Sequence, residues 1–410
     1  MVHHTIATAM SSASRGKTRT SKDGFQHNRA AMLWTVRTAA VLAIVGMLAG
    51  CASAPPAEPP APPLAVVPPA PPADEVPAGG ARVHGKSRWV PVGWGELPGF
   101  EQDALHEAWN AWVRSCERPP AALARLCPQV RQLSIASGEE QRRWMQQHLQ
   151  PYRVEALEGA AEGLLTAYYE PVLDASRQPT ATHTVPLYRP PASLNARKPW
   201  YSRQEIDTLA EARAQLRGRE IAWLADPLDA LVLQIQGSGR LRLAEPDGSV
   251  RQVRVAYAGS NDQPYRSVGG WLLQQGAVRD ASWPGIKAWV RANPQRLQEL
   301  LWSNPRVVFF REESLSELDA AFGPRGAQGV PLTPGRSIAV DKDSIPYGTP
   351  VWLASAGPLV PLQRLVLAQD TGSAIVGAVR ADWFAGWGAE AGELAGRLKQ
   401  PLRLWVLWPR

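Results

Sequence analysis

A proline- and alanine-rich stretch divides this 410-residue chain into two unequal parts. Residues 52–80 contain five Pro-Pro pairs and have little apolar surface to bury. Such a segment favours polyproline II, and residues 52–80 in that conformation would reach roughly 80–90 Å. Residues 52–87 are therefore assigned to a semi-rigid tether. A packed core can therefore form only in the long part of the chain that follows.

The segment before the tether has the features of an export signal. Residues 1–37 carry six basic side chains and one acid, and an uncharged apolar run follows at 38–50. This run is short for a bilayer span and is typical of a signal-peptide core. It ends in LAGC at 48–51, which resembles the lipobox of bacterial lipoproteins, although a cysteine can also follow small residues by chance. The resemblance implies that residues 1–51 hold the signal peptide and lipobox and that Cys51 is lipidated.

Two details refine this interpretation. The leader is long, and Met32 offers a second possible start of translation. Ala52 and Ser53 follow Cys51, and neither is an aspartate. By resemblance to known sorting patterns, the mature chain is expected on the periplasmic face of the outer membrane of a Gram-negative cell, anchored by its lipid.

The charge and the cysteines exclude some functions and leave others open. The net charge is +7, but residues 1–37 contribute +5 of it, so the remaining body is nearly neutral and predicts no nucleic-acid partner. The seven histidines form no H-E-x-x-H or similar cluster, so neither a metal nor another cofactor is predicted. Cys116 and Cys127 would meet an oxidising compartment and could pair, which the sequence leaves open.

Short apolar runs separated by turn residues predict a mainly β (α+β) protein with peripheral helices. Helices are predicted at 100–116, 139–149, from a capping box at 202–205, 268–275 and 284–302. Strands are predicted at 163–171, 230–236, 253–257, 306–311, 337–340, 350–354, 363–368 and 402–407.

Three aspartates near the C-terminus are candidates for acid/base chemistry. Asp341 and Asp370 each follow an apolar run and precede glycine-containing sequence, while Asp382 is followed by Trp383 and Phe384. Aromatic neighbours would desolvate Asp382 and raise its pKa, as a general acid requires. The alternative is that Asp341 and Asp370 only form turns through hydrogen bonds to nearby N–H groups.

The triplet Asp370, Thr371 and Gly372 also occurs in aspartic proteases. Their chemistry needs two carboxylates that share a proton, and this chain has a single D-T-G triplet. A dimeric protease would supply the second copy but would leave the long upstream half unexplained. An aspartic protease is therefore disfavoured.

Seven short blocks resemble the membrane-bound lytic murein transglycosylase A family in the family's own order. They are YYEP at 168–171, QGSGR at 236–240, AYAG at 256–259, NPR at 304–306, LTPG at 332–335, AVD at 339–341 and AQDTG at 368–372. Asp341, Asp370 and Asp382 match the three aspartates that give the family's C-terminal 3D domain its name. Ala167 and Ser373 depart from the family pattern, since glycine is usual at both positions.

The resemblance implies two domains with a groove between them. A double-psi β-barrel domain with N-terminal helices would comprise 88–169 and 305–410, and a second β-rich, substrate-binding domain would comprise 170–304. Asp382 would be the catalytic acid/base, supported by Asp370 and Asp341. The residues expected to line the groove are Tyr168, Tyr169, Glu170, Gln236, Ser238, Tyr257, Thr371 and Gly372.

The implied activity is that of a lytic transglycosylase acting on peptidoglycan glycan strands. It would cleave the β-1,4 bond between N-acetylmuramic acid and N-acetylglucosamine and leave 1,6-anhydro-muramoyl ends. A muramidase that uses water and a non-catalytic peptidoglycan-binding lipoprotein remain as alternatives. A cell-wall synthesis or division complex is a further possible partner, which the sequence does not identify.

Overall fold

The computed structural model describes residues 80–410, so the predicted lipid anchor at Cys51 and most of the tether lie outside the described residues. The strands are β1 (Arg82–His84), β2 (Ser87–Pro91), β3 (Leu149–Ala156), β4 (Gly163–Glu170), β5 (Val172–Ser176), β6 (Val185–Tyr188), β7 (Glu220–Leu224), β8 (Ser238–Ala244), β9 (Val250–Ser260), β10 (Val308–Ser314), β11 (Ser337–Val340), β12 (Pro350–Ser355), β13 (Leu362–Asp370), β14 (Arg380–Trp387) and β15 (Lys399–Pro409).

Helices surround the strands and are mostly short. They are α1 (Leu105–Ser115), α2 (Ala121–Ala124), α3 (Cys127–Gln132), α4 (Gly138–His148), α5 (Arg203–Thr208), α6 (Ala210–Leu216), α7 (Pro227–Gln236), α8 (Val268–Gln274), α9 (Trp283–Ala292), α10 (Leu297–Trp302), α11 (Glu317–Ala320) and α12 (Gly388–Arg397). Within residues 80–410, no helix combines the length and apolar character that crossing a bilayer requires.

The larger sheet has nine strands in the order β1-β2-β3-β15-β12-β13-β11-β14-β4. It closes on itself because β15 pairs with β4 through its first residues and with β12 and β3 through its later ones. Two of the pairings, β11 with β13 and β14 with β4, are parallel. The predicted mainly β fold with a barrel-like sheet is confirmed.

The central strands of this sheet are apolar on both sides. In β12, Val351 and Leu353 belong to the cluster inside the ring, while Trp352 belongs to a second cluster beneath the N-terminal helices. That second cluster includes Trp109 and Trp112 of α1. Two buried faces explain why these strands read as continuous apolar runs rather than as an alternating pattern.

The N-terminal helices are fastened at several points. A capping box of Ser137 and Glu140, which was not predicted, opens α4. The predicted capping box of Ser202 and Glu205 opens α5, in the later part of the chain. Cys116 and Cys127 form a disulfide, so the pairing that the sequence left open is made.

The smaller sheet has six strands in the order β10-β9-β8-β5-β7-β6. Its strands come from residues 172–314, between the segments that build the larger sheet. The predicted second β-rich region is thus present. The boundary predicted after residue 304 falls short of β10, because Val308–Ser314 pairs with β9 and belongs to the smaller sheet.

One element was predicted wrongly. Residues 230–236 were predicted as a strand, but they form the last part of α7. Asp226 accepts a hydrogen bond from the Leu228 N–H as the N-cap, Pro227 occupies the first turn, and Gly237 ends the helix with a left-handed φ of 83°. These cap signals, rather than the apolar run between them, determine the structure of the segment.

Other predictions were incomplete. The helix predicted at 284–302 is divided into α9 and α10 by a short 3-10 turn at Pro294, since proline cannot continue the hydrogen-bond ladder. Strand β14, which carries Asp382, was not predicted. The helices predicted at 100–116, 139–149 and 268–275 and the strands predicted at 163–171 and 253–257 are confirmed, with ends that differ by a few residues.

A buried ionic cluster joins the two sheets. Glu170, at the end of β4, is fully buried and accepts hydrogen bonds from Arg240 of β8 at 2.7 Å and Arg254 of β9 at 2.6 Å. Other N–H groups of the two guanidinium groups donate to the carbonyl oxygens of Ala320 and Phe322. The carboxylate therefore holds an edge of one sheet against the face of the other.

Replacing Glu170 with glutamine should destabilise the protein by about 3–5 kcal/mol, because two buried arginines lose their counter-charge. The free energy of unfolding, measured by urea titration, tests this. Asp174→Asn is the matched control. Asp174 of β5 pairs with Arg242 of the adjacent strand β8, but both side chains are at least half exposed. That control should cost less than about 1 kcal/mol, and equal losses in the two variants would contradict the assigned role of Glu170.

Candidate active site

A groove between the two sheets contains two adjoining cavities of about 210 and 570 Å³. Asp382 lines the smaller cavity and Asp370 lines the larger one. Both cavities are lined by Tyr168, Gln234, Ile235, Gln236, Arg306, Val308, Gly372 and Ser373. Because these walls are shared, the two aspartates face one continuous groove.

Strand β14 fixes Asp382 at the wall of the smaller cavity. Its backbone lies opposite Ala339 of β11 on one side and Thr166 of β4 on the other. The Thr166 hydroxyl donates to Asp382 Oδ1 at 2.5 Å, and Arg380 Nη2 donates to the same hydroxyl oxygen at 2.8 Å. Thr166 thus links the carboxyl group to a guanidinium without direct contact between the two.

Burial raises the pKa of Asp382 above its ordinary value of 3.8. The hydrogen bond from Thr166 and the positive charge of Arg380 oppose this effect only in part. Among residues 80–410, no side chain or backbone group donates to Asp382 Oδ2. One carboxyl oxygen is therefore held by the protein, and the other can carry a proton.

Asp370 ends β13 and has both of its oxygens held. Oδ1 accepts from the Ala327 N–H and Oδ2 from the Tyr168 hydroxyl, each at 2.9 Å. Burial raises the pKa of Asp370 to about 6, with a smaller contribution from the negative charge of Asp382 and against the hydrogen bonds. Burial and the neighbouring Asp370 also raise the pKa of Tyr168 well above 10, so Tyr168 remains a donor.

The loop at 323–335 supplies the Ala327 N–H and is pressed against β13. A Cβ atom at Gly326 would lie 2.4 Å from the Gln369 carbonyl oxygen, so only glycine permits this approach. The Gln328 N–H donates to that carbonyl, and its side chain donates to the carbonyl oxygens of Ser115 and Arg118. The position of Ala327 against Asp370 therefore depends on the buried contacts of its neighbours.

Asp341 lies outside both cavities. It accepts hydrogen bonds from Lys86 Nζ at 3.0 Å, from the Gly377 N–H at 2.9 Å and from the Asp343 N–H at 3.0 Å. Burial acts to raise the pKa of Asp341, but these hydrogen bonds together lower it below 3.8. The arrangement suits a carboxylate that stays ionised and anchors the 371–379 loop beside the groove.

The structure brings most of the other predicted site residues to the groove. Gln236, Ser238, Tyr257, Thr371 and Gly372 line the larger cavity, as does Tyr168. Tyr169 and Glu170 line neither cavity.

Both of these residues have supporting contacts instead. The Tyr169 N–H donates to Gln236 Oε1 at 3.0 Å, and its ring packs against the helix α12 around Gly392. Glu170 holds the inter-sheet cluster. Tyr169 points away from the face that carries Tyr168, because successive side chains of a strand alternate, while Glu170 is withdrawn into the inter-sheet cluster by its arginine partners. Neither side chain therefore lines the two cavities.

Several groove residues were not found from the sequence. Thr166, Arg380, Gln234, Arg306 and Ser373 line the cavities, and none belongs to the predicted set. The period of two along a strand could have indicated Thr166, which shares a face with Tyr168, and Arg380, which shares a face with Asp382. Arg306 belongs to the NPR block at 304–306, but no periodicity or charge pattern around it indicates that its side chain lines the groove.

The arrangement can perform acid/base chemistry. It has two carboxyl groups of raised pKa in one groove, of which only Asp382 has an oxygen without a protein donor in the described part of the chain. In that same part, no group of three or more His, Cys, Asp or Glu side chains is arranged to hold a metal ion.

Comparison with known proteins gives consistent matches. Residues 164–311 match the MltA specific insert domain and residues 336–408 match the 3D domain. The chain is 31% identical to membrane-bound lytic murein transglycosylase A of Vibrio cholerae over 315 residues, which is 74% of this chain and 75% of the relative.

Two solved structures extend the similarity. A lytic transglycosylase, LtgG, of Burkholderia pseudomallei is 44% identical, with 82% of this chain and 99% of that chain covered and a TM-score of 0.56. E. coli MltA with bound chitohexaose is 26% identical, with 74% and 90% covered and a TM-score of 0.60.

Replacing Asp370 with asparagine should stabilise the protein at pH 8 by about 1–3 kcal/mol. The folded-state pKa, about 6, exceeds the ordinary 3.8, so ionised Asp370 destabilises the fold above pH 6. This cost shrinks as the pH falls and is absent below 3.8. Unfolding free energies at pH 4, 6 and 8 should therefore show a gain that disappears near pH 4.

Asp341→Asn is the control of opposite sign. Its folded-state pKa is lowered, so the stability that the ionised carboxylate contributes is present above pH 4 and is lost at lower pH. This variant should be less stable than the wild type at pH 8. A loss of stability at pH 8 in the Asp370→Asn variant as well would contradict the prediction.

Proposed function

Because the chain belongs to the membrane-bound lytic murein transglycosylase A family and is a peptidoglycan lytic transglycosylase, we propose that Asp382 is its single catalytic acid/base. We propose further that its products end in 1,6-anhydro-muramoyl groups. The observation that carries the assignment is the contrast between the two groove carboxyls: Asp370 has both oxygens held, whereas Asp382 has Oδ2 without a donor among the described residues.

The first step requires a protonated Asp382. Its raised pKa supports this state, because burial disfavours the charged carboxylate. The proton on Oδ2 passes to the β-1,4 glycosidic oxygen between N-acetylmuramic acid and N-acetylglucosamine. The bond from muramoyl C1 to that oxygen breaks, and the N-acetylglucosamine unit leaves with a new hydroxyl group.

The second step uses the carboxylate that the first step creates. Asp382 now removes the proton from the C6 hydroxyl of the muramoyl unit, and the C6 oxygen attacks C1. The bond that forms closes the 1,6-anhydro ring and returns the proton to Asp382, so one acid serves both steps and no water is consumed. An ordinary glycosidase would need a second carboxylate for water or for a covalent intermediate.

Asp370 and Tyr168 support the charge that develops at C1. The transition state resembles an oxocarbenium ion, which an ionised carboxylate nearby stabilises. The hydrogen bonds from Ala327 and Tyr168 favour the ionised form of Asp370 and fix its direction. Asp341 acts at a distance, by anchoring the loop that carries Gly372.

The continuity of the groove favours an extended sugar polymer as the ligand. The two cavities adjoin through shared walls, so a strand can pass from the neighbourhood of Asp370 to that of Asp382. A relative of the same fold has been solved with bound chitohexaose, an oligosaccharide of N-acetylglucosamine. By this likeness, glycan strands occupy the groove of the present protein.

The Asp382→Asn variant should release no products from purified sacculi, because the amide can neither donate the proton nor remove one. Mass spectrometry of the muropeptides should show anhydro-muramoyl ends with the wild-type protein. Products one water heavier would instead identify a muramidase. Retained sacculus binding without products from either protein would leave a non-catalytic wall-binding protein.

We also propose that the protein is attached to the outer membrane by lipidated Cys51. The relatives are named membrane-bound, and the sequence before the tether has the lipobox pattern at residues 48–51. A tether of Pro and Ala would carry the groove away from the bilayer toward the polymer.

Cys51→Ala should move the protein from the membrane fraction to the soluble fraction and should abolish incorporation of labelled fatty acid. The labelled wild-type protein, fractionated on a sucrose gradient, should accompany outer-membrane markers. Unlabelled but still membrane-associated Cys51→Ala protein would show that another attachment exists.

A further inference from the structure

Three arginines border the larger cavity. Arg118 and Arg325 are exposed at its rim, and Arg306 is partly buried and lines both cavities. Across residues 80–410, none of the three forms an ion pair, whereas Arg311, at the same cavity, is paired with Glu313. The charges of these three side chains are thus not matched by the protein itself.

Each of the three arginines is held by a hydrogen bond, Arg118 through its backbone and Arg306 and Arg325 through their side chains. Arg118 lies in the disulfide-closed loop 116–127, and its carbonyl accepts from Gln328 Nε2 at 3.0 Å. Arg325 donates to the Gly329 carbonyl at 3.0 Å, and Arg306 donates to the Gln263 carbonyl at 3.1 Å. Each guanidinium retains further N–H donors, because a guanidinium has five in all.

The larger cavity therefore presents more positive than negative charge. Its acid is Asp370, whose oxygens are already occupied by Ala327 and Tyr168. A neutral sugar such as N-acetylglucosamine cannot form an ion pair with a guanidinium group. Covering an unpaired guanidinium with such a ligand removes its hydration without supplying a counter-charge, which weakens binding. The charge pattern indicates a ligand that carries carboxylates.

We propose that Arg118, Arg306 and Arg325 form a subsite for the carboxylates of muramoyl units. The proposal rests on the proposed function, since it concerns the same groove. N-acetylmuramic acid differs from N-acetylglucosamine by a lactyl ether that ends in a carboxyl group. That group is free on a peptide-free strand, and on a strand with stem peptides it forms an amide, so that the nearest carboxylates belong to the stem.

The position of Arg306 connects this subsite to the chemistry. It lines the cavity of Asp382 as well as that of Asp370, so a carboxylate on a bound muramoyl unit lies within the same groove as the acid/base. Arginine binds carboxylates through paired N–H donors and so fixes the ligand's orientation. The subsite would thereby distinguish muramoyl from glucosaminyl units and set the register of the strand.

The test measures binding in the Asp382→Asn background, so that no strand is cleaved during the measurement. Three ligands are compared by calorimetry: solubilised glycan strands with stem peptides, strands stripped of peptides by an amidase, and neutral chitohexaose. The variants are Arg118→Gln, Arg306→Gln and Arg325→Gln, each with its lysine counterpart. Arg213→Gln is the matched control, because Arg213 is exposed on α6 and lines no cavity described above.

Each glutamine variant should raise the Kd for charged strands about tenfold, and lysine should restore part of the affinity. Chitohexaose binding should change less than about twofold, and added salt should weaken wild-type binding to the charged strands more than it weakens the variants. A penalty that persists on peptide-stripped strands identifies the lactyl carboxylate. A penalty confined to peptide-bearing strands identifies the stem.

Equal losses for chitohexaose and for charged strands would overturn the proposal, as would unchanged affinities for all three ligands. Thermal melting of each variant, compared with the control, separates a binding defect from a folding defect. Failure of the proposed function is seen separately, as an absence of anhydro products from the protein with Asp382 intact.

Discussion

The parallel pairing of β4 with β14 is the constraint on which the rest of the groove depends. It brings residues more than two hundred positions apart into register and sets Thr166 directly opposite Asp382. The same strand then ends at Glu170, which two arginines of the smaller sheet hold in the interior. One strand thus positions the acid/base and fastens the second wall of the groove.

The buried carboxyl groups of the site reduce the stability of the fold when they are ionised. Burial raises the pKa of both Asp370 and Asp382, which means that each ionised group is less stable in the fold than in water. The two carboxyl groups differ in the number of hydrogen-bond donors that the protein provides to them. The donors at Asp370 favour a fixed carboxylate, whereas the single donor at Asp382 leaves an oxygen for proton transfer, so two chemically identical side chains acquire different tasks.

The walls around these groups are held by polar contacts as well as by apolar packing. Gln328 and Gln369 are buried, and their amides satisfy backbone carbonyls of α1 and of the loop after it. Such a network is stabilising only when its members are satisfied, and it fixes geometry that apolar contacts alone would leave adjustable. The backbone of the loop at 323–335 is therefore held by these contacts where it reaches Asp370, and the disulfide loop that carries Arg118 is joined to it.

The sequence by itself indicated the family, singled out the three aspartates as candidates for the site, and predicted most of the strands. These conclusions depend on local patterns and on short motifs. It also contained the capping signals of α7, at Asp226 and Gly237, although the apolar run between them suggested a strand. Only the tertiary structure decided that Asp341 anchors a loop outside the cavities, that Glu170 joins the sheets, and that Arg306 enters the groove. The physical reason is that burial, charge pairing and strand register arise between distant segments, and no local pattern records which segments will meet.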